Sequence, residues 1–207
     1  MGRDRAVAAP STSARSNKLP TSPWPDDVRY LEILEYDEAR IPRELLEKYR
    51  PSGRHKQRRH SRADVRRLAR PVLIDDASHP AHGQRGLFAV TKIQPRERIV
   101  DYHGVVTRGD DCSQTSDYTL AFGEKSELAI DAERAGNEAR FVNDFRNTGK
   151  RANAYFDTYV DDAGDLKLAV FCSPSGPIKS GEEILISYGK SFWRHRFGDL
   201  ESFRTDI

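Results

Sequence analysis

Short runs of β-branched and aromatic residues, each bounded by turn-forming Gly, Pro, Asp or Ser, recur from Pro71 onward and constrain the fold more than any other feature. They predict strands over Pro71–Ile74, Gly86–Val90, Arg98–His103, Tyr118–Phe122, Leu128–Asp131, Tyr155–Val160, Leu166–Phe171 and Glu183–Ser187. Asp161-Asp-Ala-Gly-Asp165 between two of these runs reads as a hairpin turn. Strands this short, with few helical patterns between them, predict a mostly β unit and exclude a doubly wound βαβ sheet.

The chain before Pro71 divides by charge. Residues 1–23 are rich in Ser, Ala, Arg and Pro without hydrophobic period and read as a disordered tail. Residues 24–49 carry eight carboxylates against four basic side chains, and Pro42-Arg-Glu-Leu-Leu-Glu-Lys-Tyr49 within them predicts a short helix with Pro in its first turn. Residues 50–70 hold nine Lys and Arg against Asp64 alone, a local charge of +8, and read as a basic linker or arm. The folded unit is assigned to residues 71–197, with a tail over 198–207. From Pro71 onward 17 basic residues face 22 acidic ones, so the overall net charge of +2 averages an acidic domain with a basic arm.

Several functions are set aside at this level. No run approaches the ~20 apolar residues of a membrane helix, and the N-terminus lacks a secretion signal, so a soluble intracellular protein with no membrane partner is expected. Cys112 and Cys172 form no CxxC and no Cys/His cluster, which supports neither a disulfide scaffold nor a structural zinc. His79 and His82 are three apart, but Pro80 between them breaks any helix that would aim them at one ion, and no metal is expected.

Four blocks carry chemistry. Gly83-Gln-Arg85-Gly86-Leu87-Phe-Ala-Val is a glycine turn opening into a strand, where bare backbone could approach a ligand. No helix follows the glycines, so this is not a dinucleotide fingerprint. Ile99-Val-Asp-Tyr102-His-Gly104 ends a strand in an aromatic residue and a glycine. Ala129-Ile-Asp leads to Asn137-Glu-Ala-Arg140-Phe-Val-Asn143-Asp144, which sets Asn137, Arg140 and Asn143 around an apolar pair, as structural staples or as ligand contacts. Gly181-Glu-Glu-Ile-Leu-Ile186-Ser-Tyr188-Gly189-Lys-Ser-Phe192-Trp193 closes the unit.

In this order and spacing, the blocks from Val72 to Trp193 resemble the SET-domain lysine methyltransferases. The resemblance implies a fold of small sheets in which the Asn143 segment and the Gly181–Tyr188 segment pass through one another as a pseudoknot. It implies S-adenosyl-L-methionine as methyl donor, no catalytic metal, and a narrow channel for the substrate lysine on the opposite face. Arg85, Gly86 and Leu87 would then offer backbone to the donor's methionine end. Asn143 would bond its amino or carboxylate group, and the Asp144 main chain would meet the adenine. Tyr188 matches the tyrosine at the methyl-transfer point, while Tyr102 and Tyr118 match channel-lining aromatics. For Tyr118 a core cross-strand aromatic is an equal reading. Phe192 and Trp193 would pack beneath the adenine or close the channel, with core packing the alternative.

Three departures from the family pattern matter. The family usually has Asn-His followed by Ser-Cys-x-Pro-Asn, whereas this chain runs Asn143-Asp-Phe-Arg-Asn-Thr-Gly-Lys-Arg-Ala-Asn153. Ile186 stands two before Tyr188, where Phe or Tyr is usual; with no phenol there, room is left for a growing methylammonium, and dimethylation or higher is expected. The cysteines of zinc-binding pre-SET and post-SET modules are not seen. The resemblance thus implies a protein-lysine N-methyltransferase, with a histone tail as substrate, possible nucleosomal DNA contact through residues 50–70, and nuclear (or cytoplasmic) location. A non-histone protein-lysine methyltransferase and a SET-fold chromatin-binding module without turnover are the alternatives.

Overall fold

The computed structural model describes residues 23–53, 62–113 and 115–189. In chain order the elements are β1 (Arg29–Tyr30), β2 (Glu35–Tyr36), α1 (Arg43–Tyr49), α2 (Arg62–Leu68), β3 (Ala69–Leu73), β4 (Arg85–Ala89), β5 (Arg98–Asp101), β6 (Val105–Arg108), β7 (Thr119–Phe122), β8 (Leu128–Asp131), β9 (Ala135–Gly136), β10 (Asn143–Asp144), β11 (Ala154–Val160), β12 (Leu166–Cys172) and β13 (Leu185–Ile186). The fold is mostly β, built of small sheets with few helices. No helix among the described residues is long and apolar enough to cross a membrane.

Two sheets carry most of the structure. β11, β12 and β5 form an antiparallel sheet through the hairpin at Asp161–Asp165, whose turn is fixed by Asp161 Oδ1 accepting from the amides of Ala163 and Asp165, each at 3.0 Å. The second sheet runs β2-β6-β8-β7. Its strand β6 follows Gly104, where the sequence pattern ends a strand. The glycine is required by packing: a Cβ there would lie 2.5 Å from the Asp131 carbonyl oxygen. The chain therefore leaves one sheet after β5 and enters the other at Val105.

Residues 24–49 are built into this framework. β1 pairs in parallel with β9, β2 pairs in parallel with β6, and Val28, Leu31, Leu34, Ile41 and Tyr49 are buried. The helical pattern at Pro42–Tyr49 appears as α1, with Tyr49 anchoring it against Phe122. The structure also corrects the boundary of the basic linker. Residues 62–70 form α2 and open β3 because Val65 and Ala69 are apolar on the inward side and buried, so the folded unit begins before Pro71. Residues 54–61, the basic centre of that segment, lie outside the described residues, as do residues 1–22 of the tail and residues 198–207.

The core runs between the sheets and is closed by the last strand. Leu87, Ile93, Val106, Phe122, Leu128, Ile130, Ile178, Ile184, Leu185 and Ile186 are essentially inaccessible. Three of these, Ile184, Leu185 and Ile186, sit at β13, and burying such side chains stabilises the fold by about 1.5–3 kcal/mol each.

Candidate active site

The site is organised by β13, which is held by both edges. On one edge β13 pairs in parallel with β10, Asn143 opposite Leu185 and Asp144 opposite Ile186, and the Phe145 amide donates to Ile186 O at 2.9 Å. On the other edge the Asn153 amide donates to Leu185 O at 2.9 Å and the Leu185 amide donates to Asn153 Oδ1 at 2.8 Å. The segment from Asn143 to Asn153 thus crosses from one edge of β13 to the other, between the two segments whose crossing the resemblance implies. Asn153 also donates from Nδ2 to Glu183 O at 2.8 Å, replacing a missing strand with one side chain.

This crossing fixes Tyr188. Its backbone amide donates to Asp144 Oδ2 at 2.7 Å and its hydroxyl donates to Val142 O at 2.7 Å. Asp144 is buried and is held in turn by Arg146, which donates from its backbone amide to Oδ1 at 2.8 Å and from its guanidinium to Oδ2 at 2.7 Å. Burial pushes the Tyr188 phenol well above the ordinary tyrosine value, and the charges of Asp144, Tyr118 and Glu183 add to the rise. The side chain of Asp144 is therefore a structural clamp, a role distinct from the main-chain contact anticipated for it.

Tyr102 is buried at the end of β5 and donates its hydroxyl to Tyr118 O at 2.7 Å, with Phe156 edge-on to its ring at 5.4 Å. Burial raises its phenol strongly, and Tyr188 is the next cause, so the two hydroxyls are electrostatic neighbours. The Tyr118 ring is half-buried against the core and is covered by the Arg140 guanidinium, 4.1 Å from its centroid. The hydroxyls of Tyr102 and Tyr188 each donate their proton to a backbone carbonyl.

The polar residues singled out beside Phe141 separate by role. Asn137 is a staple: its Oδ1 accepts from the His103 amide at 3.2 Å and its Nδ2 donates to Asp101 O at 2.7 Å. Arg140 donates to the carbonyls of Ala132 and Glu133 at 2.9 and 3.2 Å. Asn143 donates to Arg85 O at 3.3 Å and to Glu183 Oε1 at 3.1 Å, and so joins β10 to the start of β4. Gly86, beside Arg85, is packed against Glu183: an added Cβ would come within 2.6 Å of Glu183 Oε1. Leu87 is fully buried, its carbonyl accepting from the Ile184 amide at 2.8 Å. The Arg85 guanidinium reaches Pro23 O at 3.1 Å and lies over Phe141, whose ring also meets Trp24.

Ile186 is buried two residues before Tyr188. Phe192 and Trp193 lie outside the described residues. Residue patterns alone missed His79, Glu183 and Asn153. Glu183 carried one readable signal, a carboxylate opening the apolar run Ile184-Leu-Ile186, where a strand buried on both faces must pair any charge it contains. Among the described residues no group of three or more His, Cys, Asp or Glu could hold a metal ion.

Comparison with known proteins matches this architecture. ATXR5, solved in complex with a mono-methylated histone H3.1, superposes with a TM-score of 0.50 at 18% identity, over 78% of this chain and 81% of that one. KRYPTONITE, in complex with DNA, a histone H3 peptide and SAH, gives a TM-score of 0.43 at 23% identity over 54% of this chain and 22% of that one. The polycomb repressive complex 2 of Chaetomium thermophilum gives 0.42 at 24% identity over 52% and 14%. This chain spans only 13–15% of the length of the polycomb chains it resembles. No curated protein matches it in sequence. The sequence pattern of the SET domain matches residues 84–189, just over half the chain and the span that contains Gly86, Tyr102, Asn143 and Tyr188. That match places the chain in the SET-domain family.

Proposed function

We propose that this chain is an S-adenosyl-L-methionine-dependent protein-lysine N-methyltransferase that acts on a histone tail in the nucleus. The observation that carries the reading is the setting of Tyr188 in a SET domain: a half-buried tyrosine, locked through Val142 O and the Asp144 carboxylate, beside the buried phenol of Tyr102. The residues around Asn143 fit the donor's polar end, because a side-chain amide and a strand-end backbone complement an ammonium and a carboxylate. Asn143, with the backbone of Arg85, Gly86 and Leu87, would hold that end, and the main chain of Asp144 would meet the adenine. When bound, the donor supplies an electrophilic methyl group on a sulfonium.

The protein's own part is positioning. The Tyr102 and Tyr188 oxygens, their protons committed to carbonyls, orient the lysine amine with their lone pairs, and such pre-orientation supplies several kcal/mol of barrier reduction, about 7–11 at the limit. A free lysine has a pKa of about 10.4, and burial favours its neutral, nucleophilic form, so no dedicated base is required. Ile186 leaves space for a methylated amine. The acidic balance of residues 71–207, 17 basic against 22 acidic, suits a basic tail, and the basic centre at 54–61 suits phosphate.

The test is methyl transfer from labelled donor to nucleosomes, free histones and a cell lysate, with Tyr188→Phe alongside. Label on histones that Tyr188→Phe abolishes supports the reading. Label confined to other proteins moves the substrate class to non-histone targets, and donor binding with no transfer to any of them assigns a binding module.

A further inference from the structure

Glu183 is a buried carboxylate to which the functional reading gives no task. Its side chain is 1% exposed. Oε1 accepts from Asn143 Nδ2 at 3.1 Å, Oε2 lies 3.0 Å from His79 Nε2, and Lys150 Nζ stands 3.7 Å from Oε2. His79 is itself nearly enclosed, its side chain 7% exposed, and it arrives from the loop between β3 and β4, 104 residues away in sequence.

The hydrogen-bond roles in this chain of contacts are determined by its ends. The Ala81 amide donates to His79 Nδ1 at 3.0 Å, so Nδ1 carries a lone pair and the proton sits on Nε2, which donates to Glu183. At the other end Arg85 O and Glu183 Oε1 are both acceptors, so only the NH2 of Asn143 can face them. Its carbonyl oxygen is thereby turned away from Glu183. A carboxylate is the side chain that satisfies both flanking donors at once, one with each oxygen.

The geometry points to His79 and Glu183 as positioning residues that lock the Asn143 amide in one orientation and so set the affinity for the amino-acid end of the methyl donor. Through this relay the β3–β4 loop controls donor binding without touching the donor. The inference rests on the functional reading above, in which Asn143 meets that end.

The experiment is calorimetric titration of the full chain with S-adenosylhomocysteine, with thermal midpoints measured in parallel. Glu183→Gln offers one acceptor and one donor to two donors, so one bond is lost and the Asn143 amide is no longer fixed. Its Kd is expected to rise about tenfold or more. In the double variant His79→Gln/Glu183→Gln the second amide can turn its carbonyl toward the first, and affinity is expected to return to within about threefold of the parent, a coupling that independent sites would not show.

If the parent chain does not bind the probe, the functional reading fails and this inference falls with it. If the parent binds and folded Glu183→Gln binds equally well, or the double variant fails to recover, the inference alone is overturned. Should Glu183→Gln not fold, His79→Ala is read the same way: weaker binding supports the relay, and unchanged binding overturns it.

Discussion

Replacing Asn153 by Ala is expected to loosen the site from outside. The side chain makes two bonds to the chain it flanks, donating to Glu183 O and accepting from the Leu185 amide, each at 2.8 Å. Leu185 and Glu183 are almost fully buried, so the freed amide and carbonyl have poor access to water. A buried polar group left unpaired costs about 1–3 kcal/mol. Asn153 itself is half-buried and admits some solvent, which places the two losses together at about 2–3 kcal/mol. For a chain of this size that corresponds to a fall in Tm of roughly 4–12 °C. Urea unfolding followed by circular dichroism gives the value, with an unchanged m showing that the loss is stability alone. Asn153→Asp separates hydrogen bonding from packing. It keeps the volume and the acceptor for Leu185 but sets an oxygen against Glu183 O, so it should cost about as much as the alanine variant. A stability within ~0.5 kcal/mol of the parent for Asn153→Asp would refute the reasoning, because it would mean that shape rather than the donor matters.

Other consequences are as concrete. Tyr36, Tyr102, Tyr159 and Tyr188 have phenols pushed above the ordinary value, burial being the first cause in each. The folded state holds these protons more tightly than the unfolded chain, so their contribution to stability is intact below about pH 10 and is lost as pH rises beyond it. Tyrosinate absorbance from these four should appear only with the loss of circular dichroism; ionisation of all eight tyrosines with the fold intact would contradict this. At exhaustive turnover, mass spectrometry should find dimethyl or higher product, and Ile186→Tyr should shift it toward monomethyl; monomethyl product from the parent rejects the role given to Ile186. Changing Arg54, Lys56, Arg58 and Arg59 to Ser should reduce the salt dependence of nucleosome binding by about 0.9 in log–log slope for each phosphate no longer neutralised. An unchanged slope would remove DNA binding from the account. Substitution is the proper test here, since deleting residues 1–70 would also remove β1, β2 and α1.

The longer strands were legible because they are runs of apolar, β-branched and aromatic residues that end in turn chemistry, as at β8, β11 and β12. Of the two-residue strands, β13 lies within the run predicted over Glu183–Ser187, and the others were not legible. β1, β2, β9 and β10 owe their pairing to segments distant in sequence, and nothing in Arg29-Tyr30 or Ala135-Gly136 announces a partner. The basic charge of residues 62–68 masked a helix in which, among the residues whose burial is described, Val65 is buried and Leu68 half-buried, a stripe too narrow to show as periodicity. At the site, the family resemblance singled out Asn143, Tyr102 and Tyr188 as candidates, but it could not show how Asp144 clamps Tyr188 or that His79 reaches Glu183, because both depend on three-dimensional approach.

The central claim is that Tyr188, held by Val142 O and Asp144, positions an amine for methyl transfer. Single-turnover transfer of labelled methyl to histone, comparing the parent with Tyr188→Phe at matched donor occupancy, tests it directly. Removing one pre-organised hydroxyl from the reaction centre is expected to slow transfer by about a hundredfold or more while donor affinity stays near the parent value. Equal transfer rates for the two proteins would contradict the account.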